Sequence, residues 1–120
     1  MSTVTARQPL SASSLTGDSI KNRQDETLGS VHDIMIDCDS GRVAYVVMSS
    51  GGFLGMGDKL FAIPMSALQL DRQSKCLRLD ATKATFENAE GFDQNNWPDM
   101  ASAQWETAAH SHFSARPYWE

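Results

Sequence analysis

Metal, phosphate and nucleophile chemistry each demand particular residues at particular spacings, and several places in this 120-residue sequence come near such a pattern. The first is His110-Ser111-His112. In an extended segment, side chains two apart share a face, so both imidazoles could meet one metal ion. Two ligands with no third acid or cysteine beside them make a partial set. A solvated pair near the terminus accounts for them as well, and no metal or other cofactor is expected. The second is Asp37, Asp39 and Gly41, which suggests a calcium loop. That loop needs its glycine at position six and a bidentate acid at position twelve. Counted from Asp37, Gly41 falls fifth and Met48 twelfth, so a hairpin turn explains the residues better.

The third is Gly51-Gly52-Phe53-Leu54-Gly55-Met56-Gly57-Asp58, with four of the eight glycines in seven positions. A phosphate loop works by feeding a helix N-terminus whose N–H groups face the anion. Here the loop leads into a strand pattern, lacks the Gly-Lys-Ser/Thr ending and places a carboxylate at Asp58. Gly51, Gly52, Gly55 and Gly57 are therefore expected to serve backbone geometry in a structural loop, with no cofactor bound. Cys38 and Cys76 stand apart from each other and from any histidine, in the manner of reduced structural thiols. Asp25-Glu26 falls in turn material. With no G-x-S-x-G elbow and no recognisable base-and-orienter set, no catalytic residue can be named, and an enzyme is not indicated.

Ten Lys plus Arg against fifteen Asp plus Glu leave a formal net charge of -5. A nucleic-acid partner is disfavoured, because no basic field exists to neutralise phosphates. The longest apolar run, residues 43–48, is far short of the roughly 20 residues that span a bilayer, so direct membrane insertion is not expected. With no secretory pattern at the start, the expected location is the cytoplasm.

The elements that would carry these residues read as β. Residues 1–10 show no periodicity and are expected to be a flexible terminus. Residues 20–23 are short and extended, 24–27 are polar turn material, and 29–37 form a strand candidate whose apolar positions break simple alternation. Either both faces of that strand are covered or a bulge near Gly29 resets the register. A turn at 37–42 joins it to the run 43–48 as a hairpin. Residues 59–63 form another strand, and 67–70 and 76–79 a second hairpin. Val43, Tyr45, Val47, Phe61 and Ile63 alternate along the two strongest strands and are expected in the core. Five or six short antiparallel strands at this spacing predict a mainly β protein, a small barrel or compact sheet. A short helix over residues 82–89 is expected, with Thr82 as N-cap and Gly91 as its stop.

Residues 97–120 hold Trp97, Trp105, Phe113, Tyr118 and Trp119, five of the ten aromatics. A disordered tail would be poor in such side chains, so these five are the expected interaction residues, docking on the chain's own barrel or on a partner subunit, with a homodimer as the favoured assembly.

An ordered series of residues carries a family resemblance. Leu15-x-Gly17 precedes the first strand and Leu28-Gly29-x-Val31-x-Asp33 occupies the second. Asp37-x-x-x-Gly41-Arg42-Val43-x-Tyr45-Val46-Val47 crosses the hairpin. The glycine loop, Ile63-Pro64, Phe92 and Trp97-Pro98 follow. The sequence resembles the PRC-barrel domain, shared by the cytoplasmic part of the photosynthetic reaction-centre H subunit and the C-terminal domain of a ribosome maturation factor. The resemblance covers about residues 11–98, with 99–120 as a C-terminal extension. It implies a PRC-type barrel and a non-enzymatic role docking to an unidentified protein partner in a larger assembly. The alternative it raises is an accessory to a photosynthetic reaction centre or another membrane electron-transfer complex. The chain would then lie peripheral to that complex, with acids such as Asp33, Asp37 and Asp58 shaping a proton path.

Overall fold

A computed structural model of the chain describes residues 10–51, 59–89 and 91–119. Residues 1–9 of the expected flexible terminus, and Gly52, Gly55 and Gly57 of the glycine loop, lie outside the described residues. A single helical turn, α1 (Ala12–Leu15), leads into β1 (Ser19–Lys21), β2 (Thr27–Asp37) and β3 (Arg42–Ser49). Then come β4 (Leu60–Pro64), a 3-10 turn (Met65–Ala67), β5 (Leu68–Asp71) and β6 (Cys76–Leu79). Two helices, α2 (Lys83–Glu87) and α3 (Ala103–His112), follow.

Among the described residues the six strands form one sheet in the order β4-β3-β2-β1-β6-β5. Consecutive strands joined by tight turns pair antiparallel, as the sequence leads one to expect. The β1–β6 pair is parallel, a departure from the all-antiparallel reading. Four strands separate β1 from β6 in the chain, so no hairpin fixes their relative direction. The mainly β, barrel-like architecture is the one the resemblance implied.

The β2–β3 hairpin turns on Asp37, whose carboxylate accepts from the Ser40 hydroxyl at 2.7 Å and from the Asp39 N–H at 3.3 Å. Gly41 closes the turn at φ +73°, where L side chains are strained, and its N–H donates to the Asp37 carbonyl. The Ser40 hydrogen bond holds the Asp37 carboxyl below its usual range. The candidate calcium residues are thus turn-forming groups bonded to one another.

Broken alternation along β2 has a register explanation. Val31 pairs with Met48 and Asp33 with Val47, so His32 is an extra residue in β2. The bulge lets Val31 and Ile34, three apart, both face the inner core. A separate shift falls beside Gly29, where Ile20 pairs with Gly29 but Lys21 with Thr27.

The inner face of the sheet buries Ile20, Leu28, Val31, Val46, Met48, Phe61, Ile63, Leu77, Leu79 and Phe86. Of the five expected core residues, Tyr45, Val47, Phe61 and Ile63 are buried and Val43 is half-buried. They do not share one core. Antiparallel partners lie on the same face, and Phe61 and Ile63 pair with Met48 and Val46, not with Val47 or Tyr45. Tyr45 belongs to a second cluster, on the opposite face.

At the barrel's other end, buried Asn22 organises the β1–β2 turn by accepting from the N–H groups of Gln24 and Glu26. Arg78 ties that turn to the second hairpin, donating to Asp25 at 2.8 Å, Asp71 at 3.2 Å and the Asn22 carbonyl at 3.1 Å. Its guanidinium holds the Asp25 carboxyl below the usual range.

The short helix forms as its sequence predicts, with Thr82 as N-cap and its N–H donating to Thr85 Oγ1. It ends at Asn88, before Gly91. Gly91 serves close approach: a Cβ there would lie 3.0 Å from the Phe61 ring and 3.1 Å from the Leu60 carbonyl. Next to it, Phe92 and Leu60 exchange both backbone hydrogen bonds at 2.9 Å, covering the β4 edge.

Candidate functional site

The second cluster is where the sequence-singled residues come together. Residues 103–112 form α3, not an extended segment. Ser102 caps the helix, its hydroxyl oxygen accepting from the Trp105 N–H at 3.3 Å, and Ala103, Gln104, Glu106, Ala108 and Ala109 are good or compatible helix formers. The helix lies on the outer face of β3 and β4, against Ala44, Tyr45 and Ala62.

Tyr45 is the centre of this face. Its ring meets Trp105 at 5.0 Å, His110 at 5.4 Å and Tyr118 at 5.9 Å, each edge to face. Its hydroxyl donates to Glu106 Oε1 at 3.3 Å, and Tyr118 donates to the same oxygen at 2.8 Å. Burial, reinforced by the nearby Glu106 carboxylate, pushes the Tyr45 phenol far above its ordinary value. Burial and the Glu106 hydrogen bond push Tyr118 up to about 12. In both cases the neutral phenol is the favoured form.

Beyond the helix, residues 114–119 run back over the sheet as a strap. Arg42 Nη1 donates to the Tyr118 carbonyl at 2.6 Å, the Ser66 hydroxyl donates to the Arg116 carbonyl, and the Ala115 N–H donates to the His110 carbonyl. Charged and polar groups of three separate stretches thus pin the end of the chain.

The two histidines do not converge on a metal ion. Two positions along a helix differ by about 200° in direction, so the extended-segment reading is overturned by the helix itself. His110 is buried beneath Tyr45, Tyr118 and Trp119, and its Nδ1–H donates to the Glu106 carbonyl at 2.7 Å. His112 is exposed and donates from Nε2 to the Thr85 carbonyl at 2.9 Å, tying α3 to α2. No group of three metal-ligating side chains occurs among the described residues.

The five aromatics divide in the same way. Trp97 is half-buried, 5.1 Å from Phe92, with its indole N–H donating to the Gln94 carbonyl at 2.7 Å. Trp105 and Tyr118 sit in the outer cluster. Phe113 packs 5.7 Å from Phe86, against the inner core. Trp119 remains 49% exposed, its ring braced 5.0 Å from both His110 and Tyr118. Gly51 is in a turn at φ +53°. Cys38 is exposed in the hairpin turn, Cys76 is buried in β6, and both are free. No helix among the described residues is long and apolar enough to cross a membrane.

Residues with no chemical motif of their own hold this site: Glu106, Arg42 and Ser66. Ser102 followed by an alanine-rich, Glu- and Gln-bearing run is the sequence signal that would have revealed α3 and placed Glu106 on it.

No curated protein matches the chain. Among solved structures, it is similar to one assigned as a 16S ribosomal RNA processing protein, RimM, from Pseudomonas aeruginosa. That similarity has 14% identity and a TM-score of 0.44, and covers 62% of this chain and 45% of the other. The chain thus spans less than half the length of that protein. The family model for the PRC-barrel domain matches residues 9–86, from just before α1 to Phe86 in α2, leaving α3 and the strap beyond the match. With the matched segment covering well over half of the sequence and the barrel-like sheet in place, the chain belongs to the PRC-barrel domain family.

Proposed function

We propose that this protein is a non-enzymatic interaction module that docks a protein partner through its C-terminal corner, with a second copy of the chain as the first partner to test. The observation that carries this reading is Trp119. A large aromatic left half-exposed, yet held in place by His110, Tyr118 and the Arg42 bond to the strap, loses little conformational freedom on contact. Such preorganised aromatic anchors are the residues that dominate binding at protein interfaces. Trp105 supports the corner from beneath through Tyr45, whose ring meets both His110 and Tyr118.

Sedimentation of the full chain beside Trp119→Ala tests this. The expected result is an assembly larger than one 13.2 kDa chain that falls to a folded monomer in the variant, whose melting temperature no longer depends on concentration. If the full chain is monomeric, the partner is not a second copy. Quantitative capture on the immobilised full chain and on Trp119→Ala then decides the rest: a partner retained equally by both would overturn the assignment of this corner.

A further inference from the structure

Where α3 crosses the barrel, its other flank does not close completely against α2 and β4. A cleft of about 290 Å³ remains, with Phe61, Phe92, Trp105 and Phe113 among its walls and Ala62, Ala89, Ala108 and Ala109 leaving the space between them. Asn88 and His112 supply polar groups to the lining. An apolar cavity of about 150 Å³ accommodates a benzene molecule, so this cleft has room for one substituted ring.

The two polar residues limit which ring. Asn88 Nδ2 donates to the Ala84 carbonyl at 3.2 Å, and His112 Nε2 donates to the Thr85 carbonyl at 2.9 Å. Spending a donor in this way leaves Asn88 with its amide oxygen and one further N–H, able to serve either kind of group, and leaves His112, in the tautomer that donates from Nε2, with Nδ1 as a pure acceptor. Aromatic walls stack on a flat ring, and the His112 acceptor calls for a ligand that donates. We infer that the cleft between α2, β4 and α3 is a binding site for a small aromatic molecule carrying a hydrogen-bond donor, a phenol or an indole. The site is separate from the Trp119 corner and stands whether or not that corner binds a protein.

Phenol and its donor-less analogue anisole are the probes, titrated against the full chain and followed by ligand-observed magnetic resonance. Phenol is expected to bind saturably and about fivefold more tightly than anisole, the range a net hydrogen bond supplies. Ala108→Trp, which places a bulky ring at an exposed position lining the cleft, is expected to abolish phenol binding with the melting temperature unchanged. His112→Leu is expected to remove the preference for phenol over anisole while ring binding persists. Absence of saturable binding to the full chain would overturn the inference. So would equal affinity for the two probes, or phenol binding undiminished in a folded Ala108→Trp protein.

Discussion

The two faces of the β3–β4 ladder are both buried, but by different chemistry. The inner face is aliphatic and phenylalanine-rich, with Val46, Met48, Phe61 and Ile63 meeting Leu28, Leu77 and Phe86. Its stabilisation scales with area removed from water and asks little of direction. On the outer face Trp105, His110 and Tyr118 each meet Tyr45 edge to face, and one carboxylate oxygen of Glu106 takes hydrogen bonds from both phenols. That arrangement depends on geometry. The inner face closes a barrel within the family-matched segment, while the outer face is closed by α3 and the strap, beyond that segment. The same β3 strand therefore serves both a general fold and a feature added to it.

The largest expected effect breaks the comparison if the outer face is wet. Val47 is fully buried and pairs with Ala62 on the outer side. Val47→Asp would bury an unpaired carboxylate, a cost of several kcal/mol against a total stability of about 5–15 kcal/mol, and should unfold the protein. A folded Val47→Asp protein with the wild-type melting temperature would mean that α3 does not cover this face.

Truncating one aromatic on each side sharpens the contrast. Phe86 is fully buried and packs 5.2 Å from Phe61. Phe86→Ala should cost about 3–5 kcal/mol in denaturant unfolding. Trp105, half-buried, should cost about 2 kcal/mol as Trp105→Ala, the scale of side-chain burial alone. Equal costs would remove the distinction between a closed core and an applied cap.

The smallest effect reads the hydrogen bonds. Tyr118→Phe should lose about 1 kcal/mol at neutral pH. Its pH dependence has a fixed sign. The folded phenol is pushed up to about 12, above the ordinary value near 10, so its contribution is complete below pH 10 and lost as pH rises toward 12. The chain has two tyrosines, both in this network, so phenolate absorbance reports on the cap alone. The folded protein should show little phenolate at pH 10. Half-ionisation there would contradict the outer-face arrangement.

The sequence tells these faces apart only in part. Strand positions, both hairpins, the Thr82 cap and the barrel family were legible because turn residues and β-branched runs act locally. The six apolar residues 43–48 also carry a sign of double burial, since a strand covered on both faces reads as continuously apolar. The aromatics of residues 97–120 pointed to a docking segment, but the face it covers and the polar contacts that hold it there were not legible. Glu106 and Arg42 become site residues through contacts 61 and 76 positions away, to Tyr45 and Tyr118, and no local pattern encodes such a separation. The expected core mixed both faces because alternation within one strand gives no register against the next; that pairing is set by the bulge at His32 and the β3–β4 ladder. The histidine pair failed for a simpler reason. Its spacing has opposite meanings in a strand and in a helix, and Ser102 had already marked the helix.

The central claim is that α3 and the strap close the outer face of their own chain. The direct measurement compares Trp119→Ala with the same protein truncated after Asp99, following melting temperature across a wide dilution series. An intrachain cap predicts that truncation lowers the melting temperature by the same amount at every concentration. If the longer protein instead falls to the melting temperature of the truncated one on dilution, α3 packs on a neighbouring chain and the account is contradicted.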